Sequence, residues 1–290
     1  MVHPRRQDVM AALNILASHK PLMVPPILSR RQFRRFPVMI MSVMSRLVLA
    51  TAATAFVSHA TAQEACKLPG LGTVTVASVR DGRTLLLTDG RELRLAAIEA
   101  DDASRAALDT LAAGRVLRLE RLGPEQDRYG RVVAIAYTDD AYESLQQVML
   151  AQGKARVSAR VGDRPCAELL LKAERAARAA LRGLWADPNF APLPSHDVSR
   201  ISAVRGQFAL IEGKVLSVRE SGATIYVNFG RRWTQDFAVT ILKRHRRDFA
   251  AANIDPKELE GRRIRVRGWV EQRRGPMMEA SVPEQIEVVR

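Results

Sequence analysis

The chain has 290 residues, room for two ordinary domains, and its 47% hydrophobic content excludes wholesale disorder. It carries 45 Lys and Arg against 31 Asp and Glu, a formal net charge of +14. Two cysteines exclude a disulfide-dense scaffold or a four-cysteine zinc site, and five histidines are too few for a His-rich metal site.

The first 62 residues read as a leader. Arg46 supplies a positive n-region, Leu47 to Val57 a short apolar run, and Ala60-Thr61-Ala62 a small-residue cleavage site before Gln63, which is the pattern of a secretory signal peptide. The apolar run is about 11 residues, short of the ~20 that a spanning helix needs. The alternatives are a short buried helix or an anchor. Residues 1–40 hold several prolines and the basic run Arg30, Arg31, Arg34 and Arg35, longer than an ordinary n-region. Initiation at Met39, Met41 or Met44 would remove the anomaly. Without residues 1–62 the chain keeps 37 basic and 30 acidic residues, net +7. The expectation is an exported protein, periplasmic or secreted, with no transmembrane segment in the mature chain. In an oxidising compartment Cys66 and Cys166 are expected to form a disulfide, the alternative being two buried thiols. A loop of about 100 residues closed this way is worth at most roughly 4.7 kcal/mol in chain-entropy terms. His196 and His245 lie in separate regions, which argues against His-based metal or Ser-His-Asp chemistry.

A first domain is expected over 63–187. TVTVASV (73–79), TLLLT (84–88) and ELRLAAI (92–98) read as strands parted by the turn signals Asp81-Gly82 and Asp89-Gly90. Residues 103–112 read as a helix, 116–122 and 132–138 as strands, and 141–152 and 164–182 as helices. Asp163 is placed as N-cap of the last, Pro165 in its first turn and Gly183 as its stop. Strand-strand-strand-helix-strand-strand is the order of a five-stranded OB barrel.

Residues 188–204 read as a linker, and 205–290 as a second domain. Strands are expected at 209–220, 223–229, 237–242, 262–270, 277–282 and 285–289, with a helix over 243–252. The order repeats that of the first domain, so the fold class is mainly β with helices, two OB-like barrels in series. Charge divides unevenly: residues 63–199 hold 19 basic and 19 acidic residues, whereas 200–290 hold 18 and 11. The second domain sets Tyr226, Phe229, Trp233, Phe237 and Phe249 among arginines and lysines. In IRVRGWV (264–270) alternation puts Arg265, Arg267 and Trp269 on one face. Tyr226, Trp233, Arg265, Arg267 and Trp269 are therefore candidates for stacking and phosphate contacts to a single strand. The competing reading makes the aromatics core and the arginines a solubilising shell.

DGRT (81–84), ELRLAAIEADD (92–102), DRYGR (127–131), LAQGKARV (150–157) and AERAARAALRGLW (173–185) follow in the order of a known pattern. The segment from about 72 to 186 resembles the staphylococcal-nuclease-like family, whose forms run DGDT, RLxGIDAPE, DxYGR, LxxxGxAxV and AExxAR…GLW. The resemblance implies an OB-fold enzyme cleaving phosphodiester bonds with calcium. Carried over by residue, Arg94 and Arg131 match the phosphate arginines and Asp102 the water-activating Glu, with its arm shortened. Glu99 matches a metal-ligand Asp, with its arm lengthened. The second Asp of DGDT, another metal ligand, is Arg83 here, a cation that repels the metal. Asp101 stands at the Pro of the same motif. The expectation is a degenerate calcium site: no cofactor, or calcium if the nuclease is active, with Arg83, Arg94 and Arg131 left to hold phosphate. The expected partner is nucleic acid or another phosphate polyanion. The rival readings are an active phosphodiesterase cleaving DNA or RNA, with Arg83 as a third cation and Glu99 or Asp102 as base, and an envelope interaction protein. The second domain resembles an accessory OB domain found after some bacterial nuclease-like domains.

Overall fold

In a computed structural model of the chain, residues 66–139 and 141–289 are described. The leader and signal sequence read over 1–62 lie outside them. The first lobe begins with β1 (Gly70–Val79), β2 (Thr84–Leu87), β3 (Glu92–Leu95) and the two-residue β4 (Ile98–Glu99). α1 (Arg105–Ala112), β5 (Val116–Gln126) and β6 (Val132–Thr138) follow. Five of these strands close a barrel in the order β1-β2-β3-β6-β5. Every pairing is antiparallel except β3 with β6. Alternation fills the interior: Leu85, Leu87, Leu93, Leu95, Leu117 and Leu119 are each 2% exposed or less. The expected first barrel is present.

α2 (Leu145–Ala151), β7 (Arg156–Val157) and α3 (Arg164–Ala179) lie outside the barrel, β7 pairing with β4. α2 starts later than the sequence suggested because Ser144 and Gln147 form a reciprocal capping box. α3 starts as expected, with the Asp163 carboxylate accepting from the Cys166 N–H at 2.9 Å and Pro165 in the first turn. It ends at Ala179, before the expected stop. Gly183 has φ 55° and is pressed against Gly153. A Cβ on either glycine would overlap the other's segment, so the requirement at Gly183 is close backbone approach. The Cys66–Cys166 disulfide forms and ties the first described residue to α3.

The segment read as a linker is built into the second lobe. β8 (Leu193–Pro194) adds in parallel to β9 (Phe208–Lys214), and α4 (Val198–Ala203) is capped by Asp197. Next come β10 (Ser217–Ser221), β11 (Thr224–Asn228), β12 (Ala238–Leu242) and α5 (Arg246–Ala251). β13 (Arg263–Trp269), β14 (Glu271–Gln272), β15 (Pro276–Glu279) and β16 (Ile286–Val289) complete the chain.

The expected second barrel is not closed. Its strands form two sheets, β10-β11-β12-β15-β14 and β16-β13-β9-β8. β9 and β10 fall in different sheets, because β9 is flanked by β13 and β8, and β16 takes the far side of β13. No ladder is left to join the sheets edge to edge. Their inner faces pack on one core that includes Ile211, Val227, Val239, Ile241, Ile264 and Val266. Phe237 and Phe249 are buried in it, and Phe229 lies 5.2 Å from Phe237 between ring centroids. Three of the five aromatics grouped by the sequence are thus core. Both lobes belong to one compact unit, Ala60–Arg290.

Candidate functional site

The mouth of the barrel is made by two turns and one strand. In the first turn the Asp81 carboxylate accepts from the Arg83 N–H at 2.9 Å, and the Arg80 N–H donates to the Thr84 carbonyl at 2.9 Å. Gly82 sits so close to the Asp101 carbonyl that a Cβ there would overlap it. That approach carries Arg83 onto the β3–β4 segment. Its Nη1 ion-pairs with the Glu99 carboxylate and donates to the Ile98 carbonyl at 3.2 Å. Ala97, which stands where the family form has Gly, holds φ 63° and bends the chain between β3 and β4.

In the second turn Asp127 organises DRYGR. Its Oδ1 accepts from the N–H groups of Tyr129 at 2.9 Å and Arg131 at 3.2 Å, and its Oδ2 accepts from Arg131 Nε at 2.8 Å. Gly130 takes φ 78°, as the reversal requires. The Tyr129 ring is exposed, with the Arg131 and Arg128 guanidinium groups 5.1 and 4.8 Å from its centroid.

Arg94, on β3, stands between the turns. It is half-buried and has no ion-pair partner among the described residues. Burial first, then the neighbouring charges of Arg83 and Arg131, hold its guanidinium below the usual arginine range, while Glu99 and Asp127 pull it back. Three cations therefore converge. Two are matched by carboxylates, and the third is a desolvated cation with open donors, which is what an anion site provides. Asp102 is exposed as the first residue of the turn Asp102–Ser104 that leads into α1.

This donor set does not fit calcium. A calcium ion needs several oxygens, chiefly carboxylate and carbonyl. Of the two expected ligand positions, 83 is a cation, and its guanidinium holds the carboxylate of the other, Glu99, together with the Ile98 carbonyl. Among the described residues the one group of three ligand-type side chains within mutual reach is Cys66, Asp163 and Cys166, where the sulfurs are bonded to each other.

The second-lobe candidates separate. Arg267 is 1% exposed and bridges the lobes: it pairs with Glu174 of α3 at 2.9 Å and Glu287 of β16 at 2.7 Å, and donates to the Val157 carbonyl at 3.0 Å. Glu174, 0% exposed, also accepts from the Val157 N–H at 2.6 Å and Arg178 at 2.9 Å. Arg265 pairs with Glu212 at 2.6 Å and reaches Glu287 at 3.5 Å. The expected alternation along β13 holds, but this face is turned inward against α3. Arg267 is therefore out of reach of a ligand and Arg265 is committed to carboxylates, because burial closes the first off from solvent and the terminal nitrogens of both are taken by carboxylates. Trp269 remains 50% exposed and meets Phe208 edge-on at 6.4 Å. Tyr226, on β11 of the opposite sheet, and Trp233, in the β11–β12 loop, line a groove of about 1090 Å³.

Two partnerships went unread in the sequence. Asp127 sits four residues before Arg131 in DRYGR, a spacing that signals the clamp. Arg156, whose strand partner in register is Glu99, donates to the Phe208 carbonyl at 3.3 Å and ties the mouth to the second lobe. Nothing local in the sequence announces the second.

A closed five-stranded barrel with arginines converging at its open end defines an OB-type barrel. Residues 100–187 match the family model of the staphylococcal nuclease homologue, and that segment is a domain of this family. The match begins at Ala100. Asp102, Asp127, Arg131 and Glu174 fall within it, and Arg83, Arg94 and Glu99 precede it. No curated protein matches the chain.

Proposed function

We propose that the chain binds nucleic acid, or another phosphate ligand, at the mouth of the nuclease-type barrel, and that it does so without calcium catalysis. The observation that carries this reading is the Arg83 guanidinium paired with the Glu99 carboxylate, the group a metal would need there. Arg94 and Arg131 supply the cationic surface for a phosphate, and Arg83 adds a third charge. The family domain supports nucleic acid as the ligand class, and its nuclease members depend on calcium in general. Export to the periplasm or beyond is supported by the disulfide and by the signal-like segment 44–62. No helix among the described residues is long and apolar enough to cross a membrane.

The test is the full chain incubated with labelled DNA and RNA, in calcium and in chelator, with binding and cleavage followed separately. Binding that weakens steeply with salt, drops in Arg94→Ala and Arg131→Ala, and is unaccompanied by cleavage in either condition is the expected result. Calcium-dependent cleavage would overturn it. Cleavage that survives chelator and disappears in Arg131→Ala would replace it with a metal-independent phosphodiesterase. A flat salt response would replace it with an envelope interaction protein.

A further inference from the structure

The sheet β10-β11-β12-β15-β14 buries one face and leaves the other open. Ile225, Val227, Val239, Ile241 and Met278 point into the core, so the residues between them face outward. Register places Arg219, Tyr226, Thr240 and Glu279 in one row across the four strands β10, β11, β12 and β15. This row forms the floor of the 1090 Å³ groove. One wall is the β11–β12 loop, which carries Arg231 and Trp233. The other is the β14–β15 hairpin, which carries Arg274. The walls are braced by close backbone approach: a Cβ on Gly275 would lie 2.9 Å from the Asp236 carbonyl oxygen. Trp233 is 61% exposed, and the Arg274 guanidinium lies 5.0 Å from its ring centroid.

The charges facing this groove are unevenly committed. Asp236 accepts from the Arg232 N–H at 2.7 Å, Glu260 from the Val218 N–H at 3.1 Å, and Glu279 is paired with Arg160 at 3.6 Å. Arg219, Arg231 and Arg274 have no carboxylate partner among the described residues. The groove thus combines open aromatic rings, guanidinium groups free to meet phosphate, and a hydroxyl-bearing floor.

We infer that this groove binds single-stranded nucleic acid, with bases stacked on Trp233 and Tyr226 and phosphates held by Arg219, Arg231 and Arg274. Stacking plus cationic contacts is the chemistry of single-strand recognition, and a duplex offers no open base faces to the two rings. The assignment shares a ligand class with the barrel mouth but none of its residues, so the two stand or fall separately.

The test uses the full chain and a short oligothymidylate of about eight nucleotides, within the roughly 4–16 that such platforms cover. Tryptophan fluorescence should quench on titration. Trp233→Phe should remove most of the quench. Trp233→Ala and Tyr226→Ala should each weaken binding by about 5-fold to 100-fold. Arg219→Ala with Arg274→Ala should flatten the salt dependence by between one and two phosphate contacts. The quench should persist in Arg94→Ala/Arg131→Ala, and its loss there would assign the signal to the barrel mouth and overturn the inference. A quench unchanged in Trp233→Phe, equal affinity for duplex, or displacement by polyglutamate at matched charge would each overturn it as well.

Discussion

Restoring the carboxylate at position 83 tests the barrel mouth directly. In Arg83→Asp with Glu99→Asp, two ligand carboxylates replace the ion pair that now joins these positions. The lost charge-assisted bonds, to the residue 99 carboxylate and the Ile98 carbonyl, are worth about 1.5–3 kcal/mol where they are desolvated. The native partners are 20% and 15% exposed, so solvent screens only part of this. Two carboxylates left facing each other about 5 Å apart would add repulsion of up to about 3 kcal/mol at an effective dielectric near 20. Relaxation of the two short side chains takes back part of the sum, leaving an expected loss of about 2–4 kcal/mol in chelator. For a folded region of this size that lowers Tm by about 5–15 °C. Calcium at about 100 times its Kd returns about 2.7 kcal/mol. The assay is thermal unfolding of wild type and double variant, each in calcium and in chelator. The variant should be calcium-responsive and the wild type indifferent. A wild-type Tm that climbs in calcium as much as the variant's would refute the reasoning, because Arg83 would then not be holding the metal's place.

Arg267→Met should lower stability by about 3–5 kcal/mol in urea unfolding, because it strips the main partner from the fully buried Glu174; adding Glu174→Gln should recover more than half of that loss. Glu287 gives the stability profile an acid limb. Burial opposes its ionisation, but Arg267 and Arg178 outweigh burial and hold it below the ordinary glutamate value of 4.5, so its contribution is complete above 4.5 and is lost as pH falls through the lower folded value. Glu284, raised by burial, has the opposite sign and regains stability as pH falls through its folded value; a Tm series from neutral to strongly acid pH should therefore hold down to about the ordinary value and then drop, with a smaller drop in Glu287→Gln. Ala97→Gly should raise stability by a few tenths to about 1 kcal/mol by relieving the left-handed backbone at φ 63°, read as a shift of the urea midpoint at unchanged m-value.

The sequence made the first lobe legible because its signals are local. Alternation in TLLL and ELRL fixed which leucines fill the barrel. The cap at Asp163 fixed the start of α3, and the export reading paired Cys66 with Cys166. At the mouth, the substitution of Arg for a carboxylate in DGRT announced a changed site, and the structure adds where that cation goes. The second lobe was read less well, because strand order does not determine closure. Six strands with one helix between them suit a barrel or two packed sheets equally. The choice turned on β8, a two-residue strand in a proline-punctuated stretch that has no periodicity of its own. β13 shows the same limit at the level of one side chain. Its alternation correctly put Arg265 and Arg267 on one face, but periodicity does not say whether a face meets water or another lobe, and here it meets Glu174 across a sequence gap of 93 residues.

The buried Arg267 also changes how the net charge is read. The basic excess of residues 200–290 suggested one cationic surface. Arg178, Arg263, Arg265 and Arg267 instead neutralise Glu174, Glu212 and Glu287 at and beside the joint between the lobes. Of the cations without a carboxylate partner among the described residues, Arg94 stands at the barrel mouth and Arg219, Arg231 and Arg274 line the groove, in two separate places. Arg156 ties the mouth to the second lobe, since it lies in register with Glu99 and donates to Phe208 on β9, and Arg160 ties the first lobe to the groove floor through Glu279 at 3.6 Å. A ligand that displaced the Arg83–Glu99 pair would therefore act on a residue already wired to the second lobe. Arg156 and Arg160 are two of the links that a coupling between mouth and groove would use, and Arg156→Met cuts the first while leaving each set of phosphate contacts in place.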